Sequence, residues 1–155
     1  MALKIMSELE MEVLLFKTRL SVVACRYLVP FYYKGETVKI PEIAEIYGFK
    51  PRSINPSFSA LTKVGILSSR VGGKYEERGF MFAKDPKEVT LYDIVRALEG
   101  EAPVVGCSDR LTCQPSDCND CSIHDELQKV KESRKKILSG TTIYEHYLNL
   151  KPGRK

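Results

Sequence analysis

The 155-residue chain has no tryptophan, no internal repeat and no low-complexity segment. No run is apolar for the roughly 20 residues that a membrane-spanning helix needs, so no membrane partner is expected. The opening Met1–Glu10 carries Lys4, Glu8 and Glu10 and lacks a small-residue cleavage pattern, so it does not read as a signal peptide. The expected compartment is the cytoplasm. The sequence also lacks a glycine-rich nucleotide loop and any recognisable acid–base pair, which argues against an enzyme. A further absence is local. Acidic residues are missing from Ile46 to Tyr75, while Lys50, Arg52, Lys63, Arg70 and Lys74 fall in that window. The net charge of +4 is modest. An acid-free basic window inside a balanced chain points to an anionic partner or to a solvated basic face.

Hydrophobic residues make up 43% of the chain, enough for one small core with appendages. Apolar residues at Leu9, Val13, Phe16, Leu20, Val23 and Tyr27 recur at steps of three and four and predict a helix over Ile5–Phe31, ended by Pro30 and Gly35. Val38–Ile40 reads as a short extended segment. Pro41–Tyr47 follows as a short helix with Ile43, Ala44 and Ile46 on its apolar face, stopped by Gly48. After a turn through Phe49–Asn55, Asn55 is suited to cap a second short helix, Pro56–Val64, with Phe58 and Leu61 turned inward. Ile66–Val71 and Gly79–Ala83 flank Gly72–Arg78 and read as a β-hairpin. Thr90 caps Leu91–Leu98, which Gly100 ends. Ile123–Ser139 is a helix with Ile123, Leu127, Val130, Ile137 and Leu138 on one stripe, and Ile143–Leu148 is a last short helix.

Helix, short helix, turn, short helix and hairpin is the order of a winged helix-turn-helix. The expected fold is therefore mainly α with a small β-hairpin wing, completed by a long C-terminal helix. Residues 1–100 form the DNA-binding domain, 101–122 a cysteine-rich loop, 123–150 the C-terminal helices, and 151–155 a basic tail. A helix on such a scaffold can enter the major groove of double-stranded DNA, and a basic hairpin beside it can reach phosphates. The polar groups offered are Arg52, Ser53, Asn55, Ser57, Ser59 and Lys63 on the recognition helix and its approach, then Arg70, Lys74, Tyr75 and Arg78 on the wing. Glu76 and Glu77 sit at the wing tip and oppose phosphate.

Four of the five cysteines crowd together, with the spacing Cys107-x5-Cys113-x4-Cys118-x2-Cys121-x2-His124. In a reducing compartment that crowding favours metal ligation over disulfides. Thiolates and imidazoles suit zinc or iron–sulfur clusters. Structural zinc favours paired knuckles, and only Cys118-x2-Cys121 supplies one. Spacing alone leaves a cluster, zinc, and a redox pair such as Cys118 with Cys121 all open. Cys25 reads as a buried apolar residue and His146 as a satisfied side chain rather than a ligand.

The run Val64-Gly65-Ile66-Leu67-Ser68-Ser69-Arg70, then Gly72-Gly73, then Thr90-Leu91-Tyr92-Asp93-Ile94-Val95-Arg96-Ala97-Leu98-Glu99-Gly100 resembles the Rrf-two family of bacterial and archaeal transcription regulators. Cys121-Ser122-Ile123-His124-Asp125 and Thr141-Thr142-Ile143 continue the likeness, which spans roughly Leu20 to Leu148. The family includes a regulator of iron–sulfur cluster assembly and a nitric-oxide sensor. The resemblance implies a homodimer crossing through the long helix at Ile123, Leu127, Val130 and Ile137. It implies promoter operator DNA as partner, with the recognition helix at Arg52–Val64 and the wing at Arg70–Gly79. It also implies an iron–sulfur cluster as cofactor, held by Cys107, Cys113, Cys121 and His124. Cys118 is an extra cysteine and an alternative ligand. A histidine ligand favours a two-iron cluster over a four-iron one, and zinc is the alternative metal. Pro56 and a long wing depart from the family pattern, which bears on the DNA sequence read rather than on the fold.

Overall fold

The computed structural model describes residues 16–71, 78–100 and 121–149. Helix α1, Phe16–Lys34, is the central support of the fold. It buries Thr18, Ser21, Ala24, Cys25, Leu28 and Val29, a set spaced at helical period. The expected stripe lay one face away: Phe16 is 60% exposed, and Leu20, Val23 and Tyr27 are half-buried. Pro30 does not end the helix, which runs another turn to Lys34. Proline removes one backbone hydrogen bond and disfavours helix. Here Leu28 and Val29 anchor the preceding residues, and the following turn packs its aromatic rings, with Tyr33 edge-on to Tyr144 at 5.8 Å. Gly35 ends the helix in the left-handed region at φ 71°. The part of the expected helix before Phe16 lies outside the described residues.

Strand β1, Val38–Lys39, leads directly into α2, Ile40–Tyr47. Ile40, expected in the extended segment, is the first residue of this helix and is buried. Ile46 is 48% exposed, so the inner face is Ile40, Ile43 and Ala44. A 3-10 turn at Pro51–Ser53 then feeds α3, Asn55–Lys63. Asn55 is the first helical residue rather than the cap. Ile54 holds the cap position without a side-chain bond, and its fully buried side chain fixes the entry to α3. Phe58 and Leu61 are fully buried, as expected, and Phe58 meets Phe80 edge-on at 5.2 Å.

Strands β2, Leu67–Arg70, and β3, Gly79–Phe82, form the expected antiparallel hairpin, with Leu67 opposite Phe82 and Arg70 opposite Gly79. β1 joins on the other side of β3, giving the order β1-β3-β2. Alternation puts Val38, Leu67, Phe80 and Phe82 into the core and leaves Ser68 and Met81 on the outer face.

A second 3-10 turn, Pro86–Glu88, precedes α4, Leu91–Glu99. Thr90 and Asp93 complete a capping box at its start. The longest remaining element is α5, Ser122–Ser139, followed by α6, Ile143–Leu148. Thr142 and Glu145 form a second capping box. The two boxes sit together: Thr90 bridges Thr142, Leu91 N–H donates to the Thr141 carbonyl, and Ile143 N–H donates to the Val89 carbonyl. Ile143 is fully buried in the same core as Val89 and Ile94. The C-terminal end of α5 is thereby fixed to the start of α4.

Candidate nucleic-acid interface and cysteine site

Helix α3 divides by periodicity. Ser57, Phe58 and Leu61 face the core, while Asn55, Pro56, Ser59 and Lys63 are exposed. Arg52, in the 3-10 turn just before the helix, is also exposed, and Ser53 is half-buried. Ser57 was expected among the DNA-facing polar groups. It lies on the inner face, one residue from Phe58, and is only 9% exposed. The outward row is thus Arg52, Asn55, Ser59 and Lys63, at near-helical spacing. Thr62 donates its hydroxyl to the Phe58 carbonyl at 2.8 Å, which keeps that group turned back on the helix.

Arg70 and Arg78 are exposed at the two ends of the hairpin strands. Lys74 and Tyr75, with the acids Glu76 and Glu77, lie outside the described residues. Lys50 adds an exposed cation just before the 3-10 turn. The described part of the acid-free window therefore carries its charges on the surface, while Ile54, Phe58, Leu61, Ile66 and Leu67 enter the core and Ile46, Val64 and Val71 stay exposed.

Of the cysteine-loop residues, Cys107, Cys113 and Cys118 lie outside the described residues. Cys121 and His124 are described and half-buried. Cys121 is the N-cap of α5, contributing no side-chain cap bond, and His124 stands in the first turn. The His124 Nδ1 atom is buried and has no hydrogen-bond partner among the described residues. A buried ring nitrogen left unpaired costs about 1–3 kcal/mol, so it needs a partner beyond those residues. That condition fits an imidazole that ligates a bound group. Cys121 and His124 can thus supply one thiolate and one imidazole from the head of α5. No cluster of three ligating side chains occurs among the described residues.

The remaining cysteine and histidine are structural. Cys25 is fully buried, and desolvation pushes its thiol up to about 12. His146 Nε2 meets Thr141 Oγ1 at 2.8 Å, a satisfied side chain as expected.

Helix α5 has no buried residue. Ile123, Val130 and Ile137 are 67%, 64% and 73% exposed, and Leu127 is half-buried. Two contacts of this helix with α4 are polar. Arg134 meets Glu99 at 3.5 Å, and Lys135 lies over the Tyr92 ring at 5.4 Å.

The protein family described as Rrf2, iron-dependent transcriptional regulator, matches residues 16–147. The chain belongs to the Rrf2 family. Members of the Rrf2 family are transcriptional regulators and not enzymes, and this chain is a transcriptional regulator of that kind. It is 27% identical over 130 residues to a protein of Aquifex aeolicus (strain VF5) named as an HTH-type transcriptional regulator, covering 81% of this chain and 84% of that one. It is 31% identical over 91 residues to an rrf2-like HTH-type protein of Rhodobacter capsulatus, over 59% of this chain and 56% of the relative. Among solved structures, T. potens IscR superposes with a TM-score of 0.69 at 21% identity, covering 94% of this chain and 93% of that one. CymR, the global cysteine regulator of B. subtilis, also superposes at 0.69, with 18% identity, over 91% and 100%. These likenesses establish the winged-helix fold of the Rrf2 chain. No helix among its described residues is long and apolar enough to cross a membrane.

Proposed function

We propose that this Rrf2 regulator binds operator DNA as a homodimer and senses iron supply, redox state or nitric oxide through an iron–sulfur cluster. The ligands are Cys107, Cys113, Cys121 and His124, with Cys118 as the alternative. The observation that carries the sensing part is the orphan His124 Nδ1, one turn from Cys121 at the head of α5. A bound cluster supplies a centre that reacts with oxidants and nitric oxide and is lost when iron is scarce. The chain's own residues do the rest. Cys121 and His124 tie the cysteine loop to the first turn of α5. The exposed Ile123, Leu127, Val130 and Ile137 offer a self-complementary face to a second copy. Arg52, Asn55, Ser59 and Lys63 present the recognition row, and Arg70, Lys74, Tyr75 and Arg78 the wing. Because a dimer must match two half-sites, a small change in the spacing of its two recognition helices alters affinity strongly.

The four-ligand set with one histidine favours a two-iron cluster. The test is anaerobic purification with an absorption spectrum and analysis for iron and sulfide. Visible bands with matched iron and sulfide are expected, and Cys107→Ala or Cys113→Ala abolishes them. A colourless protein holding stoichiometric zinc would replace the cluster with a structural metal. A colourless, metal-free protein with a reversible thiol pair would replace it with a thiol switch, the reading towards which the likeness to a cysteine regulator leans.

A further inference from the structure

The outer face of the small sheet holds a second arrangement. Lys39 lies opposite Gly79 across β1 and β3, and Arg70 lies opposite Gly79 across β2 and β3. Directly opposed residues of an antiparallel pair share a face. Lys39, Gly79 and Arg70 therefore form one rung, with two exposed cations on the outer strands and no side chain from the central strand. Two strand spacings separate the outer Cα atoms by about 10 Å, within reach of two long side chains converging on one group. The space over Gly79 is shaped by Thr37. A Cβ built on Gly79 would stand 2.5 Å from Thr37 Oγ1 and 2.7 Å from Thr37 Cβ. Only glycine lets that hydroxyl lie against the strand, in the middle of the rung.

The rung's place in the fold selects its ligand. It is the last described pair before the hairpin leaves the body, since Val71 and Arg78 follow on the two strands. It also adjoins the start of α2, because Lys39 is that helix's N-cap and makes no side-chain capping bond. α2 and α3 are the two helices of the helix-turn-helix, so the rung stands where the wing and the helix-turn-helix meet. The acid of the first turn of α2, Glu42, accepts a hydrogen bond from the Tyr27 hydroxyl at 3.0 Å.

We infer that Lys39 and Arg70, with the Thr37 hydroxyl laid over Gly79, form a seat for one phosphate of the DNA backbone. The inference rests on the DNA-binding reading above and adds to it a contact outside the recognition helix and the wing tip. Such a contact sets register and orientation and carries no sequence information. It also explains why β1 is present as a third strand: two residues of β1 are enough to bring Lys39 into the rung.

The test uses the full chain and a random-sequence DNA duplex, with affinity followed by fluorescence anisotropy between about 50 and 200 mM salt. Removing one phosphate contact lowers the slope of log affinity against log salt by about 0.9. The double variant Lys39→Gln, Arg70→Gln is expected to lose about that much slope. Each single variant should already lose most of it, because both cations serve one phosphate. Lys131→Gln, an exposed change on α5, controls for net charge and should leave the slope unchanged. Thr37→Val keeps the shape over Gly79 and should weaken binding several-fold without changing the slope. Wild-type slope in the double variant overturns the seat while leaving DNA binding intact. Losses that simply add show two separate contacts and also overturn it. A wild-type chain that binds no duplex even at the lowest salt removes the DNA reading itself.

Discussion

The exposed stripe on α5 makes a quantitative claim about assembly, and Val130→Asp tests it. Val130 is 64% exposed in the single chain, so the substitution should change the stability of an isolated subunit by no more than about 0.5 kcal/mol. Fully burying a valine is worth about 1.5–3 kcal/mol. With roughly two-thirds of its surface left to cover, each copy contributes about 1–2 kcal/mol to a dimer, and a two-fold interface counts it twice. A loss of about 2–4 kcal/mol weakens dimerisation roughly 30- to 700-fold. The buried carboxylate adds to that figure. Sedimentation equilibrium over a dilution series measures the constant directly, and thermal melts of the same samples separate assembly from folding. Operator affinity should fall with the dimer. A variant with an unchanged dimer constant would show that α5 does not pair through this stripe. A lowered melting temperature at concentrations where both proteins are monomeric would show that Val130 supports its own subunit instead.

Other consequences follow from single side chains. Phe58→Ala removes a fully buried ring packed on Phe80 and should cost about 3–5 kcal/mol in urea unfolding. An unchanged midpoint would mean that α3 is not held by this contact. His124→Ala should leave folding and dimerisation intact while making the visible chromophore weaker or shorter-lived under oxygen, and a variant with wild-type spectrum and lifetime would remove His124 from the ligand set. Cys25 should resist thiol reagents in the folded chain, because burial leaves no thiolate at neutral pH. Its folded pKa lies above the unfolded value, so the wild type should lose stability relative to Cys25→Ala as pH rises above about 8.5 towards about 12. Parallel pH-stability curves for the two proteins would contradict that burial.

Periodicity located the elements better than it located their faces. In α1 the apolar residues are so numerous that two adjacent stripes satisfy a helical repeat. The structure buries the one containing Thr18, Ser21 and Cys25, whose small side chains allow close packing. Ser21 satisfies its hydroxyl on the Lys17 carbonyl, so a polar residue costs little there. Pro30 read as a stop because its local penalty is visible in sequence, whereas the packing of Tyr33 on Tyr144, which opposes that penalty, is not. Ser57 read as a DNA-facing group from composition alone. Its burial follows from the phase of α3, fixed by Ile54 and Phe58 on either side. The rung of Lys39, Gly79 and Arg70 depends on a strand register that joins Lys39 to Gly79, about forty positions away, which one sequence does not reveal. The cysteine spacing points to ligand chemistry in the sequence alone, and Cys107, Cys113 and Cys118 lie outside the described residues.

The paired capping boxes at Thr90 and Thr142 give α5 a mechanical character. One end of this 18-residue helix is bolted to α4 through main-chain bonds, and Arg134 and Lys135 extend the clamp. From Arg134 back to Cys121, where no main-chain bond to α4 occurs among the described residues, the helix measures about 20 Å at 1.5 Å per residue. It is a cantilever with the candidate ligands at its tip. A tilt of about 5° at the clamp moves Cys121 by about 2 Å over that length. The converse holds as well: a force applied at the tip by the loop is delivered to α4 with the same leverage. α4 packs against α3, the helix that carries the exposed Asn55, Ser59 and Lys63.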